Sequence, residues 1–158
     1  MTETFILSSP AFSYYRFHVM CGMLHDETVS AVKVTDRELT FSFDSFRLFE
    51  EDFFDKTWYE QFKNYQKCQM TVRFSPAEYK GENVVILSAV KKEKNGRGTI
   101  AYQESALATF DFSAYRLQFL NPCLSDTFSL ECSVFSGKTP YDNLRITLLA
   151  EEITFVWE

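Results

Sequence analysis

The chain has 158 residues, of which 46% are hydrophobic and 24% are charged, so it is long enough for one domain with a substantial core. Its 17 Phe, 8 Tyr and 2 Trp favour β-strands, because aromatic side chains suit a pleated, half-buried surface. The formal net charge of −6 argues against nucleic acid as a partner, since proteins that bind nucleic acid neutralise phosphates with Lys and Arg. We therefore expect residues 1–158 to form a single, mainly β domain.

The sequence carries no recognisable export or membrane signal. Its first residues are acidic rather than basic, and no apolar run reaches the roughly 18 residues that a membrane-spanning helix needs. In such a chain we expect the cysteines to be free thiols. These are Cys21, Cys68, Cys123 and Cys132. The expectation is a cytoplasmic protein that does not bind membranes.

Two hairpins are predicted from alternating apolar and polar residues around short polar turns. The first joins Val29–Thr35 to Leu39–Phe46 across three residues. The second joins Val84–Lys94 to Thr99–Ser105, and its turn contains Asn95-Gly96, a dipeptide that supplies the positive φ angles of tight hairpin turns.

One segment has helical rather than strand periodicity. Its aromatic residues recur four, four and three positions apart, and they are Phe54, Trp58, Phe62 and Tyr65. Asp52 or Asp55 is a suitable N-cap for such a helix. The pattern predicts a short helix over Asp52–Tyr65 that covers a sheet, with an irregular aromatic loop as the alternative.

The second half of the chain reads as further antiparallel strands. Cys68–Phe74, Tyr115–Phe119 and Phe128–Val134 alternate strictly. Near the C-terminus the apolar residues occupy even positions in Leu144–Leu148 and odd positions in Ile153–Trp157. This reversal of apolar parity predicts one long central strand with a β-bulge. The expected fold is an antiparallel β-sandwich, or a curved and partly closed sheet, of about eight to ten strands with one short helix.

One short segment concentrates the residues that bind metals. It contains His18, Cys21 and His25, whose imidazole and thiolate groups are zinc ligands. The three would converge if the segment were a helical turn, although no standard zinc motif has this spacing. Cys21 is also the one thiol that this pattern marks as a candidate nucleophile, but no third group is placed to orient a catalytic base.

A partial family resemblance lies in the first hairpin. Leu24–Val34, which begins with an apolar-His-Asp turn, is followed by Leu39–Phe43. This stretch resembles the opening of several small bacterial families, some of whose members are similar to immunity proteins that neutralise secreted toxins. The resemblance implies a binding role without catalytic residues, and a structural role for the pair His25-Asp26.

The leading hypothesis is a non-enzymatic interaction protein, of the immunity type, that binds a basic protein partner and needs no cofactor. Its predicted interface is an acidic and aromatic patch, because aromatic residues favour interface centres and acids attract a basic partner. The patch comprises Glu50, Glu51, Asp52, Asp55, Trp58 and Tyr59. The competing interpretation is that the aromatic residues Phe53, Phe54 and Trp58 belong to the core.

Two further functions are compatible with the sequence. A curved sheet lined by phenylalanine could carry a small apolar ligand, although bulky rings tend to fill a small barrel. A metal- or thiol-dependent enzyme would use the cluster His18, Cys21 and His25. A homo-oligomer is also compatible, because a long apolar edge strand could pair with a second copy.

Overall fold

The computed structural model describes residues 1–76, 83–124, 127–135 and 139–158. The described residues form eleven strands, two α-helices and three short 3-10 helices. The strands are β1 (Thr2–Ile6), β2 (Thr28–Val29), β3 (Ala31–Val34), β4 (Glu38–Phe43), β5 (Cys68–Phe74), β6 (Val84–Lys92), β7 (Gly98–Ala106), β8 (Leu117–Leu124), β9 (Phe128–Val134), β10 (Asn143–Leu148) and β11 (Ala150–Trp157). The helices are α1 (Tyr14–Gly22) and α2 (Lys56–Phe62), and the 3-10 helices are Glu50–Asp52, Leu107–Thr109 and Phe112–Ala114.

The strands form two antiparallel sheets, and the predicted β-sandwich is confirmed. The first sheet has the order β1-β11-β5-β4-β3 and the second has the order β2-β8-β9-β10-β6-β7. Their inner faces share one core, in which the Phe119 ring of β8 lies 6.3 Å from the Phe41 ring and 5.8 Å from the Phe43 ring, both in β4. Both predicted hairpins are present, as β3–β4 and β6–β7.

The described part of the chain has eleven strands rather than the expected eight to ten, because β1 was not predicted and two predicted strands pass from one sheet to the other. Ser30 separates β2 of the second sheet from β3 of the first. Leu149 likewise separates β10 from β11, and a register shift between Ala150 and Glu152 follows. The reversal of apolar parity therefore marks a change of sheet together with the predicted bulge. The prediction of one long strand is therefore wrong, although β10 and β11 each lie inside their own sheet rather than at its edge.

Helix α1 was not predicted from the sequence, and it packs across one part of the core. The side chains of Phe17, Met20 and Cys21 are buried. The Phe17 ring contacts Phe155 of the first sheet and Phe128 of the second, with centroid separations of 6.2 and 6.4 Å. The helix thus packs on both sheets at once.

Helix α2 is the predicted helix, but it is shorter than Asp52–Tyr65. It begins after Asp55, whose carboxylate caps it, and ends at Phe62. Phe62 is buried against Trp157, with their rings 5.1 Å apart. Within the described residues, no helix is long and apolar enough to cross a lipid bilayer.

Candidate functional site

A groove of about 730 Å³ has two walls. Helix α1 and the turn that follows it form one wall, and residues 47–58 form the other. Its apolar and aromatic lining residues are Tyr15, Val19, Met23, Leu48, Phe49, Phe53, Phe54 and Trp58. Its polar lining residues include His25, Asp26, Glu27, Arg47, Asp52 and Asp55. Half of the predicted acidic and aromatic patch therefore lies in one wall of a concave site.

The α1 wall of the groove follows from the amphipathic character of that helix. Ser13 caps the helix, because its hydroxyl oxygen accepts a hydrogen bond of 3.2 Å from the Arg16 amide. Phe17, Met20 and Cys21 face the core. The opposite side of the helix therefore presents Tyr15 to the groove, and Tyr15 is 61% exposed.

The opposite wall is fixed by one buried aromatic residue. Phe46 packs on Trp157 with ring centroids 5.7 Å apart, and its amide donates to the Gln66 carbonyl. The residues that follow can then point outward, and the Arg47 guanidinium lies 5.4 Å from the centre of the Phe49 ring. Phe54 is fully exposed. The interpretation that these aromatic residues belong to the core is therefore wrong for Phe54, whereas Phe53 and Trp58 are partly buried and pack against the core.

The two walls are held together by Arg16 and Trp58. The Arg16 guanidinium lies 5.3 Å from the centre of the Trp58 ring. It also makes a two-pronged ion pair with Glu3 of β1, with separations of 2.6 Å from Nε and 2.9 Å from Nη2. One side chain of α1 therefore contacts both α2 and β1 and links the two walls of the groove.

The groove is rich in carboxylates. Among the described residues that line it are four carboxylates, those of Asp26, Glu27, Asp52 and Asp55, together with the guanidinium of Arg47. Burial raises the pKa of Glu27, and the neighbouring charge of Asp26 raises it further. A basic ligand beside Glu27 would favour the charged form of this carboxylate and so oppose the shift.

The six residues predicted as an interface occupy different positions. Asp52, Asp55 and Trp58 line the groove. Glu50 pairs with Lys56 at 2.5 Å, and this hydrogen-bonded ion pair lowers the pKa of Glu50. Tyr59 is half-buried against Phe53, with their rings 5.8 Å apart, and Glu51 is exposed outside the groove lining.

Asp55 has a structural task besides lining the groove. Its carboxylate accepts hydrogen bonds from the Thr57 amide at 2.9 Å and from the Thr57 hydroxyl at 2.7 Å. These bonds lower the pKa of Asp55. Asp52 makes no such cap and is the better probe of binding.

The three residues predicted as metal ligands are not brought together. His18 is exposed and its ring lies 4.3 Å from Tyr14, whereas the Cys21 side chain is buried in the core. His25 lies beyond the helix and pairs with Asp26, with 3.0 Å between Nδ1 and the carboxylate oxygen. Among the residues that the structure describes, no group of three His, Cys, Asp or Glu could hold a metal ion.

Cys21, the thiol predicted as a candidate nucleophile, is buried in the core, and this position corrects the expectation. Burial raises the pKa of Cys21 and of Cys68, and it raises the pKa of Cys132 to about 12. A thiol that stays protonated in the core is a poor nucleophile. Cys123 is the exposed cysteine.

Sequence reasoning missed the α1 side of the groove, which contributes Tyr15 and the turn with His25, Asp26 and Glu27. One signal was present, because Phe17, Met20, Cys21 and Leu24 have helical spacing behind the capping residue Ser13.

The chain was compared with models of protein families, with curated proteins and with solved structures, and none of the three comparisons finds a match.

Proposed function

We propose that this chain is a non-enzymatic, cytoplasmic binding protein whose groove receives a basic segment of a protein partner, in the manner of an immunity-type inhibitor. The observation that carries the proposal is the groove itself. It combines exposed aromatic rings with four carboxylates and one guanidinium in a concave surface of about 730 Å³. Aromatic side chains supply apolar contact area at interfaces, and charged groups of one sign favour a partner of the opposite charge.

The exposed aromatic residues are a strong argument for an interaction surface. Tyr15 is 61% exposed, Phe49 is 46% exposed and Phe54 is fully exposed, and all three line the same groove. Clustered exposed apolar side chains with polar neighbours are typical of protein interaction sites. A segment that carries both Lys or Arg and apolar side chains would cover these rings and neutralise the carboxylates.

Selection from a peptide library tests this preference directly, because it requires no candidate partner. A random peptide library is displayed on phage and selected at low salt on the wild-type protein. We expect the selected peptides to combine basic and apolar residues and to lose affinity at high salt, because salt screens exposed charges.

The matched control is Glu51→Lys, because Glu51 and Asp52 are neighbours in one 3-10 helix and only Asp52 lines the groove. Selected peptides should bind the Glu51→Lys variant like the wild type and should bind Asp52→Lys roughly tenfold more weakly. Peptides without an excess of basic residues, or equal weakening by both substitutions, would exclude the groove as a site for basic segments.

A further inference from the structure

The outer edge of the second sheet is formed by β7, and it differs from the other sheet edges. β7 has nine residues, and it pairs with β6 without a register shift from Val84↔Ala106 to Lys92↔Gly98. The edge strands β1, β3 and β2 have five, four and two residues. Proteins guard edges with short strands, bulges, prolines or charges, and β7 has only the charge of Glu104.

The outward face beside this edge is apolar. Ile100 and Tyr102 of β7 are each 69% exposed, and Val90, which pairs with Ile100, is 64% exposed. Among the described residues, β7 has a hydrogen-bonded neighbour on one side alone. A regular edge with exposed apolar side chains is suited to pairing with another strand.

We propose that β7 pairs with β7 of a second copy of this chain, which would join the two six-stranded sheets into one. This surface is separate from the groove, so the proposal does not depend on the proposed function. In an antiparallel pair, directly opposed residues point to the same face of the sheet. In a dimer whose two-fold axis is perpendicular to the sheet, even-numbered residues of one β7 therefore lie opposite even-numbered residues of the other.

Side-chain chemistry selects the register centred on Ala101. In that register Ile100 lies opposite Tyr102 of the second copy, and this pairing occurs twice. Each Glu104 then lies opposite Gly98, which has no side chain. Centring the pair on Tyr102 would instead place Ile100 opposite a Glu104 carboxylate. Apolar pairs stabilise cross-strand contacts, whereas an apolar side chain opposite a carboxylate does not, so the first register is favoured over the second.

Sedimentation velocity over a concentration series tests the dimer. The contact between two nine-residue edges is small compared with the roughly 1,200 Å² of a standard interface, so we expect a dimer that dissociates on dilution. Tyr102→Lys should remain monomeric at every concentration with an unchanged circular dichroism spectrum. Ile6→Lys, which changes a 50%-exposed residue on the edge strand β1, should dimerise like the wild type.

Disulfide trapping tests the register in a Cys123→Ser background, which removes the exposed native thiol. Opposed Cα atoms in an antiparallel pair lie roughly 4.5–5.5 Å apart, within the range of a disulfide. Ala101→Cys should therefore form a cross-linked dimer on mild oxidation, and Thr99→Cys, which lies opposite Gln103 of the second copy, should not. A monomeric wild type, a dimerising Tyr102→Lys, or a failure of Ala101→Cys to cross-link preferentially would overturn the proposal.

Discussion

The turn at residues 25–27 determines how the acidic side of the groove is built. Asp26 has a φ of +66°, a left-handed conformation that Asp tolerates better than most residues. Its amide donates to the Phe119 carbonyl at 2.8 Å, and the Phe119 amide donates to the Glu27 carbonyl at 2.9 Å. The expected structural role of His25-Asp26 thus coexists with a place in the groove, since both residues line it.

Glu27 provides a test at this scale. Its folded-state pKa lies above its ordinary value, so the folded chain binds a proton more tightly than the unfolded chain. Stability therefore falls as the pH rises from the unfolded-state pKa through the folded-state pKa. We expect Glu27→Gln to raise the urea midpoint at neutral pH and to lose this advantage in acid, where Glu27 is itself protonated.

The control for Glu27 is Glu51→Gln, a substitution of an exposed side chain that should change stability by no more than about 0.5 kcal/mol. Glu27→Gln should also weaken the binding of a basic peptide, because it removes a groove carboxylate. A neutral-pH midpoint lowered by Glu27→Gln would show that the charged carboxylate stabilises the fold and would contradict the raised pKa of Glu27.

At the scale of secondary structure, α1 has two different faces with different tasks. Phe17 is completely buried and its ring contacts Phe5, Phe128 and Phe155 from both sheets. Tyr15, two residues earlier, is exposed in the groove. The inner face therefore stabilises the sandwich, and the outer face is available to a partner.

This division predicts opposite effects of two neighbouring substitutions. Phe17→Ala should destabilise the fold by about 3–5 kcal/mol, because it leaves a cavity where both sheets meet. Tyr15→Ala should change stability by no more than about 0.5 kcal/mol and should weaken peptide binding. Urea unfolding measures the first quantity, and Phe17→Leu extends the series if the alanine variant fails to fold. Similar stability losses for Phe17→Ala and Tyr15→Ala would contradict this division of the helix.

The sequence predicted the strands and hairpins well, because period-two alternation records which side faces the core. The Asn95-Gly96 turn is an example, with Gly96 at a φ of +80°. Helix α1 was missed because its Tyr, Phe, Val and Cys residues are typical of strands, and this composition outweighed the helical spacing behind Ser13. The complete groove could not be predicted, because its two walls meet through the Arg16–Trp58 contact, which is not encoded locally.

Glu151 and Glu152 illustrate a second limit of local reasoning. Strand alternation alone places adjacent side chains on opposite faces, so two adjacent carboxylates would not be expected to share a partner. The register shift between Ala150 and Glu152 changes this. Arg73 reaches both carboxylates, at 3.8 Å from Glu151 and 3.1 Å from Glu152.

At the scale of the whole molecule, the two proposed interaction surfaces lie apart. The turn on the acidic side of the groove bonds to β8, which neighbours the edge strand β2, whereas β7 forms the other edge of the same sheet. Pairing through β7 would therefore leave both grooves of a dimer open. The net charge of −6 adds a long-range attraction for a basic partner, which low salt strengthens.

The most direct test of the central claim is affinity capture from a lysate of the native host. Immobilised wild-type, Glu51→Lys and Asp52→Lys proteins are compared at low and high salt, with the bound proteins quantified by mass spectrometry. We predict a basic protein in stoichiometric amount on the wild type and on Glu51→Lys, depleted on Asp52→Lys and released by salt. The same proteins on all three baits, or binding that salt does not affect, would contradict recognition of a basic partner by this groove.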